Sequence, residues 1–232
     1  MNEFLQTLKA LDLAPFMLSL KLAGITTLIL FFLVLPLAYF LSTHEFKGRA
    51  TIETLANLPL VLPPSVLGFY LLIFLSPYSF FGEFIEKTLG LRLVFNFYGL
   101  VIASCIYSLP FMLNPLISGF RSMPKNLVEA SYSLGKGKIY TLFHVSLPAI
   151  KPSLLSALVI SFAHTMGEFG VVLMIGGSVS SETKVASIAI YEYVEILDYK
   201  NAHIYSGIML LISFFVLFLV YKFNSKIKNQ LK

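Results

Sequence analysis

Ser161, His164, Thr165 and Glu168 recur at i, i+3, i+4 and i+7, the spacing that sets four side chains on one face of a helix. The segment around them, Pro152 to Ile175, is otherwise apolar. A carboxylate and an imidazole there are costly against lipid, so the stripe must face protein or water. Three kinds of chemistry suit this set: a gate, a ligand contact, or packing by hydrogen bonds. A direct contact between Glu168 and an anion is opposed by electrostatics, since two negative charges about 4 Å apart repel by about 4 kcal/mol at an effective dielectric of 20. Glu168 is therefore expected to accept hydrogen bonds from a neighbouring helix end or hydroxyl, with Gly167 and Gly170 permitting close approach. Ser65, Ser104, Ser108, Ser161 and Thr165 are the hydroxyls expected to line a pathway, a role that competes with ordinary interhelical packing.

The elements that must hold these groups follow from composition. Of 232 residues, 57% are hydrophobic and only 12% charged, with a mean hydropathy of +0.82. A soluble domain carries about 25% charged residues. The reading is an all-α fold, a polytopic membrane helix bundle in one domain spanning residues 1–232. Five stretches are long enough to cross about 30 Å of hydrocarbon: Phe16 to Ser42, Leu58 to Ser76, Tyr98 to Phe120, Pro152 to Ile175 and Ile204 to Phe223. The first is too long for a signal-peptide core and is read as retained. Pro59, Pro63 and Pro64 crowd the entry to the second, and Pro36, Pro110 and Pro115 are expected to interrupt others, which favours a packed bundle around a pathway.

Basic residues orient the bundle. Eleven of them (Lys47, Arg49, Arg121, Lys125, Lys136, Lys138, Lys151, Lys222, Lys226, Lys228, Lys232) fall on one side and five (Lys9, Lys87, Arg92, Lys184, Lys200) on the other, with Lys21 inside the first span. The N-terminus is then outside and the C-terminus cytoplasmic. Acidic residues, Glu3 among them, collect outside. Phe80 to Leu89 alternates aromatic and charged residues as an interfacial helix would. Lys184 to Leu197 reads as a short outer helix. The net charge of +5 gathers into no basic-aromatic stripe, which argues against nucleic acid. Cys105 is the only cysteine, so no intrachain disulfide forms. His44, His144 and His203 have no ligand spacing to His164, so no metal is expected. There is no internal repeat. The Gly135-Lys136-Gly137-Lys138 run lacks phosphate-cradling spacing, and no catalytic constellation is present.

The cytoplasmic segment 121–151 holds the most specific pattern, Glu129-Ala130-Ser131-Tyr132-Ser133-Leu134-Gly135 followed by Phe143 and Leu147-Pro148. Asn126 is placed to cap a helix whose N3 residue is Glu129 and which stops near Gly135. Ile139 to Val145 would form a second segment ending before Pro148. Small Ala130, Ser131 and Ser133 allow close approach, and Leu134, Tyr140 and Phe143 suit a partner's groove.

At these residues the chain resembles the type I importer permeases of the ABC class, whose EAA loop reads Glu-Ala-Ala, then Gly after three residues, then Leu-Pro. Here Ser131 replaces the second Ala. Leu58 to Leu72, with its Pro-Pro pair, and Ser161 to Gly170, continuing to Gly177, are similar to the molybdate/tungstate branch; the Gly-Glu-Phe-Gly element is shared with sulfate permeases. The resemblance implies a homodimer of such chains and two ATP-binding subunits docked on Glu129, Ala130, Ser131, Gly135, Phe143, Leu147 and Pro148. It also implies a periplasmic oxyanion-binding protein, with residues 178–201 the candidate contact or simply a solvated loop. ATP and Mg would bind the partner, leaving no cofactor in this chain. The alternatives are a sulfate/thiosulfate permease and an ion-driven secondary transporter; a membrane-embedded enzyme would need more catalytic groups than one Glu and one His.

Overall fold

The computed structural model describes residues 12–230. Glu3, Lys9 and Lys232 lie outside the described residues, as do the side chains of Lys226 and Lys228. Helix α1 (Ala14–Thr43) and α5 (Phe97–Ser122) run unbroken, and Pro36, Pro110 and Pro115 sit inside them without interrupting either. A proline deletes one donor and leaves one carbonyl free, a loss that neighbouring helices absorb in a packed bundle. Helix α11 (Tyr199–Gln230) starts under a local cap, where the Asn201 side chain and then its backbone N–H donate to Asp198 and hold that carboxyl below its usual range.

The second and fourth spans differ from expectation. The second is not one helix over Leu58 to Ser76. Helix α2 (Arg49–Asn57) ends in a 3-10 turn at Leu58–Leu60, the chain bends by 110°, and α3 (Pro64–Leu75) begins anew. Pro63 and Pro64 explain the bend, since neither donates and each pushes its predecessor away from helical geometry. Twelve residues span only about 18 Å, which is short of the hydrocarbon thickness. The fourth span divides into α8 (Lys151–Met166) and α9 (Gly170–Gly176), so Glu168 lies in the break rather than on a continuous helical face. Among the described residues three helices are long and apolar enough to cross a membrane alone. Up to five crossings result if each of two bent pairs, Arg49–Leu60 with α3 and Lys138–Ala149 with α8, is one span.

Between these run α4 (Phe80–Leu89), α6 (Lys125–Ser133), α7 (Lys138–Ala149) and α10 (Ala186–Glu195). The interior has two main apolar clusters stacked along α1 and α5. One joins Leu18 and Leu22 of α1 to Leu100 and Ala103 of α5, the whole of α3's buried face, and Val171, Val172 and Ile175 of α9. The other joins Leu30, Val34 and Leu41 to Met112, Leu113 and Leu116, with Ala157 of α8. On α5 the residues between the two clusters include buried Ser104 and Ser108, and on α1 they include buried Thr26 and Thr27. A polar layer thus divides the core at the level of the break.

Close backbone contacts fix this arrangement. A methyl group on Gly170 would meet Pro64 Cβ at 2.9 Å, so the starts of α3 and α9 touch. A methyl on Gly99 would lie 1.7 Å from the carbonyl oxygen of Leu93, which no side-chain rotation relieves. Gly99→Ala is expected to lower the yield of monodisperse protein in detergent, at a cost above the about 1–3 kcal/mol usual for overpacking. Gly24→Ala, whose added methyl has open space around it, should leave yield unchanged.

Candidate functional site

The break between α8 and α9 is built by glycine and closed by hydrogen bonds. Gly167 N–H donates to the carbonyls of Ala163 and His164, and Glu168 N–H reaches Thr165 O at 3.3 Å. The Glu168 carbonyl, freed by the break, accepts from Ser187 Oγ of α10 at 2.5 Å. The carboxylate turns inward and its side chain is 1% exposed. Ser104 Oγ donates to Oε2 at 2.5 Å and Ser108 Oγ to Oε1 at 2.8 Å. Such burial is sustained because both oxygens have hydroxyl donors.

Ser108 is the hub. Its oxygen also lies 2.9 Å from His164 Nδ1 and 2.8 Å from Thr165 Oγ1. A hydroxyl has one proton to give and two lone pairs to fill. If that proton goes to an ionised Glu168, His164 must carry hydrogen on Nδ1 and Thr165 must donate as well. The imidazole is further held by stacking on Phe111, 3.9 Å between centroids, and by an edge contact with Tyr107 at 4.7 Å.

His164, Thr165 and Glu168 are therefore brought together with Ser104 and Ser108. Ser161 is not: its hydroxyl is buried without a partner, like those of Thr26 and Thr27. Ser65 stands apart from the network but lines the cavity beside it. That cavity, about 620 Å³, is bounded by Pro64, Ser65, Tyr107, His164, Glu168 and Gly170, among others. It opens where the two interrupted spans meet, the place where unwound backbone needs water or protein. Tyr107 and Phe111, missed in the sequence, follow helical spacing from Ser104 and Ser108 on α5; Ser187 gave no local signal, because its partner is a backbone carbonyl created by the break. Among the described residues no cluster of His, Cys, Asp or Glu could hold a metal.

The second candidate site is the hairpin of α6 and α7. Pro124, not Asn126, precedes α6, and no side chain caps it; Asn126 lies inside the first turn. The end is a reciprocal pair of backbone bonds, Lys136 N–H to Ser131 O and Gly135 N–H to Tyr132 O, with Gly135 at φ +72°. This left-handed cap needs glycine. Helix α7 does not stop before Pro148. It passes through a π turn at Leu142–Ser146 and includes Pro148 before ending at Ala149. The wider turn occurs just where Pro148 cannot supply the regular donor.

Ser131 is buried and bonded to Thr141 Oγ1 at 2.8 Å, so it ties the hairpin's two arms together rather than facing outward. Leu134, Ile139 and Phe143 are exposed at 77%, 76% and 58%, and Glu129, Ala130 and Pro148 are also exposed. Leu147 is half-buried. Tyr140 stacks on His144 at 4.1 Å. An apolar tip on a rigid hairpin fits a docking element, since ordering entropy is already met.

Interrupted spans that meet at a cavity beside a buried polar network, with a projecting apolar hairpin, fit a membrane-embedded solute transport subunit. The chain belongs to the family described as binding-protein-dependent transport system inner membrane component, matched over residues 34–229. It is 42% identical to the molybdenum transport system permease protein of Azotobacter vinelandii over 90% of this chain and 93% of that one. It is 31% identical to a putative molybdenum permease of Bacillus subtilis, covering 89% and 91%. A probable sulfate permease of Marchantia polymorpha is 31% identical, covering 95% and 77%. The fold matches a bacterial ABC transporter for alginate import with a TM-score of 0.80 at 18% identity, covering 97% of this chain and 83% of that one. The fold is that of ABC importer permeases.

Ser108→Ala leaves one Glu168 oxygen, His164 Nδ1 and Thr165 without their shared partner. It is expected to cost about 2 kcal/mol or more in unfolding stability in detergent. Ser156→Ala, whose hydroxyl only returns to Pro152 O of its own helix, should cost under about 0.5 kcal/mol in the same assay.

Proposed function

We propose that this chain is the membrane-spanning permease subunit of an ABC importer that moves molybdate, or tungstate, into the cytoplasm. The observation that carries the reading is similarity to molybdenum permeases along nearly the whole chain, including the interrupted spans and the hairpin. The substrate class agrees with a cavity whose polar lining includes Ser65, Tyr107 and the His164 imidazole, with the Glu168 carboxylate held by the hydroxyls of Ser104 and Ser108. Weak, escapable contacts of that kind suit conduction better than tight holding.

Two copies of the chain would pair around a central pathway. Each hairpin would dock on an ATP-binding subunit through Glu129, Ala130, Leu134, Gly135, Phe143, Leu147 and Pro148, with Ser131 setting the hairpin's shape. ATP and Mg2+ bind those subunits, and this chain catalyses nothing itself. A binding protein delivers the oxyanion at the outer face, with residues 178–201 its contact. The N-terminus is outside and the C-terminus cytoplasmic, which puts the hairpin on the side of the ATP-binding subunits. Ser65, Ser161, His164, Thr165 and Glu168 form the pathway or its gate. ATP binding to the outward-open state more tightly than to the inward-open one drives alternating access.

The test is ATP hydrolysis by the complex reconstituted in lipid with its ATP-binding subunits and binding protein, titrated separately with molybdate, tungstate and sulfate. Stimulation by molybdate or tungstate alone supports the reading. Stimulation by sulfate alone moves the substrate, and no stimulation removes the import assignment. Gly135→Pro, which cannot adopt the left-handed cap, should cut copurification of the ATP-binding subunit about tenfold, equivalent to about 1.4 kcal/mol, while membrane insertion persists. Undiminished copurification would refute docking through the hairpin.

A further inference from the structure

His164 lines the cavity, yet only its Nδ1 has a hydrogen-bond partner among the described residues; Nε2 is left for whatever occupies the cavity. With Glu168 ionised, Ser108 gives its proton to Oε1 and the hydrogen of a neutral His164 sits on Nδ1, facing Ser108 Oγ. With a neutral imidazole, Nε2 offers a lone pair, the wrong polarity for an oxyanion. The network then also carries the net charge of Glu168. An anion entering the cavity meets both a lone pair and a carboxylate whose Oε1 lies 3.5 Å from the ring.

One proton removes both obstacles. We infer that the Glu168–Ser108–His164 line is a proton relay that takes up one proton as the oxyanion enters the cavity and gives it back on exit. This rests on the oxyanion-import reading above and adds to it the charge state in which the site accepts its cargo. The proton comes from cavity water and adds at Nε2, giving an imidazolium beside a carboxylate with net charge zero. The same proton count is kept if Nδ1–H passes to Ser108 Oγ while the Ser108 proton passes to Oε1. That leaves a carboxylic acid and a neutral imidazole that still bears hydrogen on Nε2. In both arrangements an N–H faces the cavity.

The linkage is reciprocal: the anion's field favours proton uptake, and proton uptake favours the anion. Other titratable groups around the pair are Tyr107 and Cys105 on α5, and Tyr191 of α10, tilted against Phe169 with ring centroids 5.0 Å apart. Among the described residues no Lys or Arg lines the cavity, so none of them supplies a fixed cation there to replace the proton.

The experiment measures molybdate-stimulated over substrate-free ATP hydrolysis by the reconstituted complex, with saturating binding protein, from about pH 5.5 to 8.5. The ratio removes the pH response of the ATP-binding subunits themselves. For a one-proton requirement, stimulation falls about tenfold per pH unit on the alkaline limb. His164→Asn, which keeps an amide donor near Nδ1 and lacks Nε2, and Glu168→Gln, which carries no charge, should each flatten the profile to within about twofold. A flat profile in the unaltered complex overturns the relay whatever the variants do, and so does an equal slope in unaltered and altered complexes. A complex that hydrolyses ATP but answers to no oxyanion at any pH instead overturns the import reading on which the relay rests.

Discussion

A single carboxylate buried at the middle of a membrane bundle constrains everything near it. Glu168 is tolerated because Ser104 and Ser108 saturate its oxygens and Ser187 takes its carbonyl. Each partner belongs to a different helix from the one Glu168 follows, so the residue links α5 and α10 across the end of α8. Loss of one donor leaves charge unpaired in a medium that cannot hydrate it. The break in the fourth span is thereby more than a local unwinding. It turns a main-chain defect into an interhelical junction.

The same junction explains why the second span is broken too. Helix α9 has no room for a side chain at Gly170, and its start rests on Pro64 at the start of α3. Two interrupted helices that meet end to end leave unpaired backbone on one side and a cavity between them. The polar side chains that reach it, Ser65, His164 and Glu168, fit the requirement that such backbone be wetted or covered. Stacked apolar clusters lie above and below this level, leaving the polar layer as the plane along which the core is divided.

Legibility in the sequence tracked distance along the chain. The first and third spans were read within a few residues, because a long apolar run has one reading in lipid: Tyr98 to Phe120 became Phe97–Ser122. The last helix, expected over Ile204 to Phe223, runs Tyr199–Gln230. The amphipathic helix Phe80–Leu89 was legible from its alternation. The Pro-Pro pair announced disruption but not a 110° turn, since bend angle is set by what the two arms pack against. The fourth span looked continuous because Gly167 and Gly170 have two readings, close packing and chain break, and both apply. Partners across the bundle were hidden: hydroxyls as a class were legible for Glu168, but the choice of Ser104 and Ser108 depends on a register between α5 and α8 that no single segment encodes. Ser131 misled for the opposite reason. A small residue beside a helix cap reads as an outward contact, while Thr141, ten residues on, draws it inward.

The placement of the hairpin gives that register its physical importance. Helices α6 and α7 are inserted between α5 and α8, the two helices that carry the polar network. Near the hairpin those helices touch so closely that a methyl on Gly119 would meet Ser153 Cβ at 2.6 Å. Close-packed helices transmit small displacements as rigid bodies, because interior packing stores little slack. The α6–α7 hairpin is in turn pinned near its turn by Ser131 and Thr141, which tie its two arms together there. On the docking reading proposed above, a force applied at Leu134 or Phe143 would shift α5 relative to α8. The contacts most sensitive to that shift are the short hydroxyl bonds from Ser104 and Ser108 to Glu168, which lose strength steeply with distance and angle.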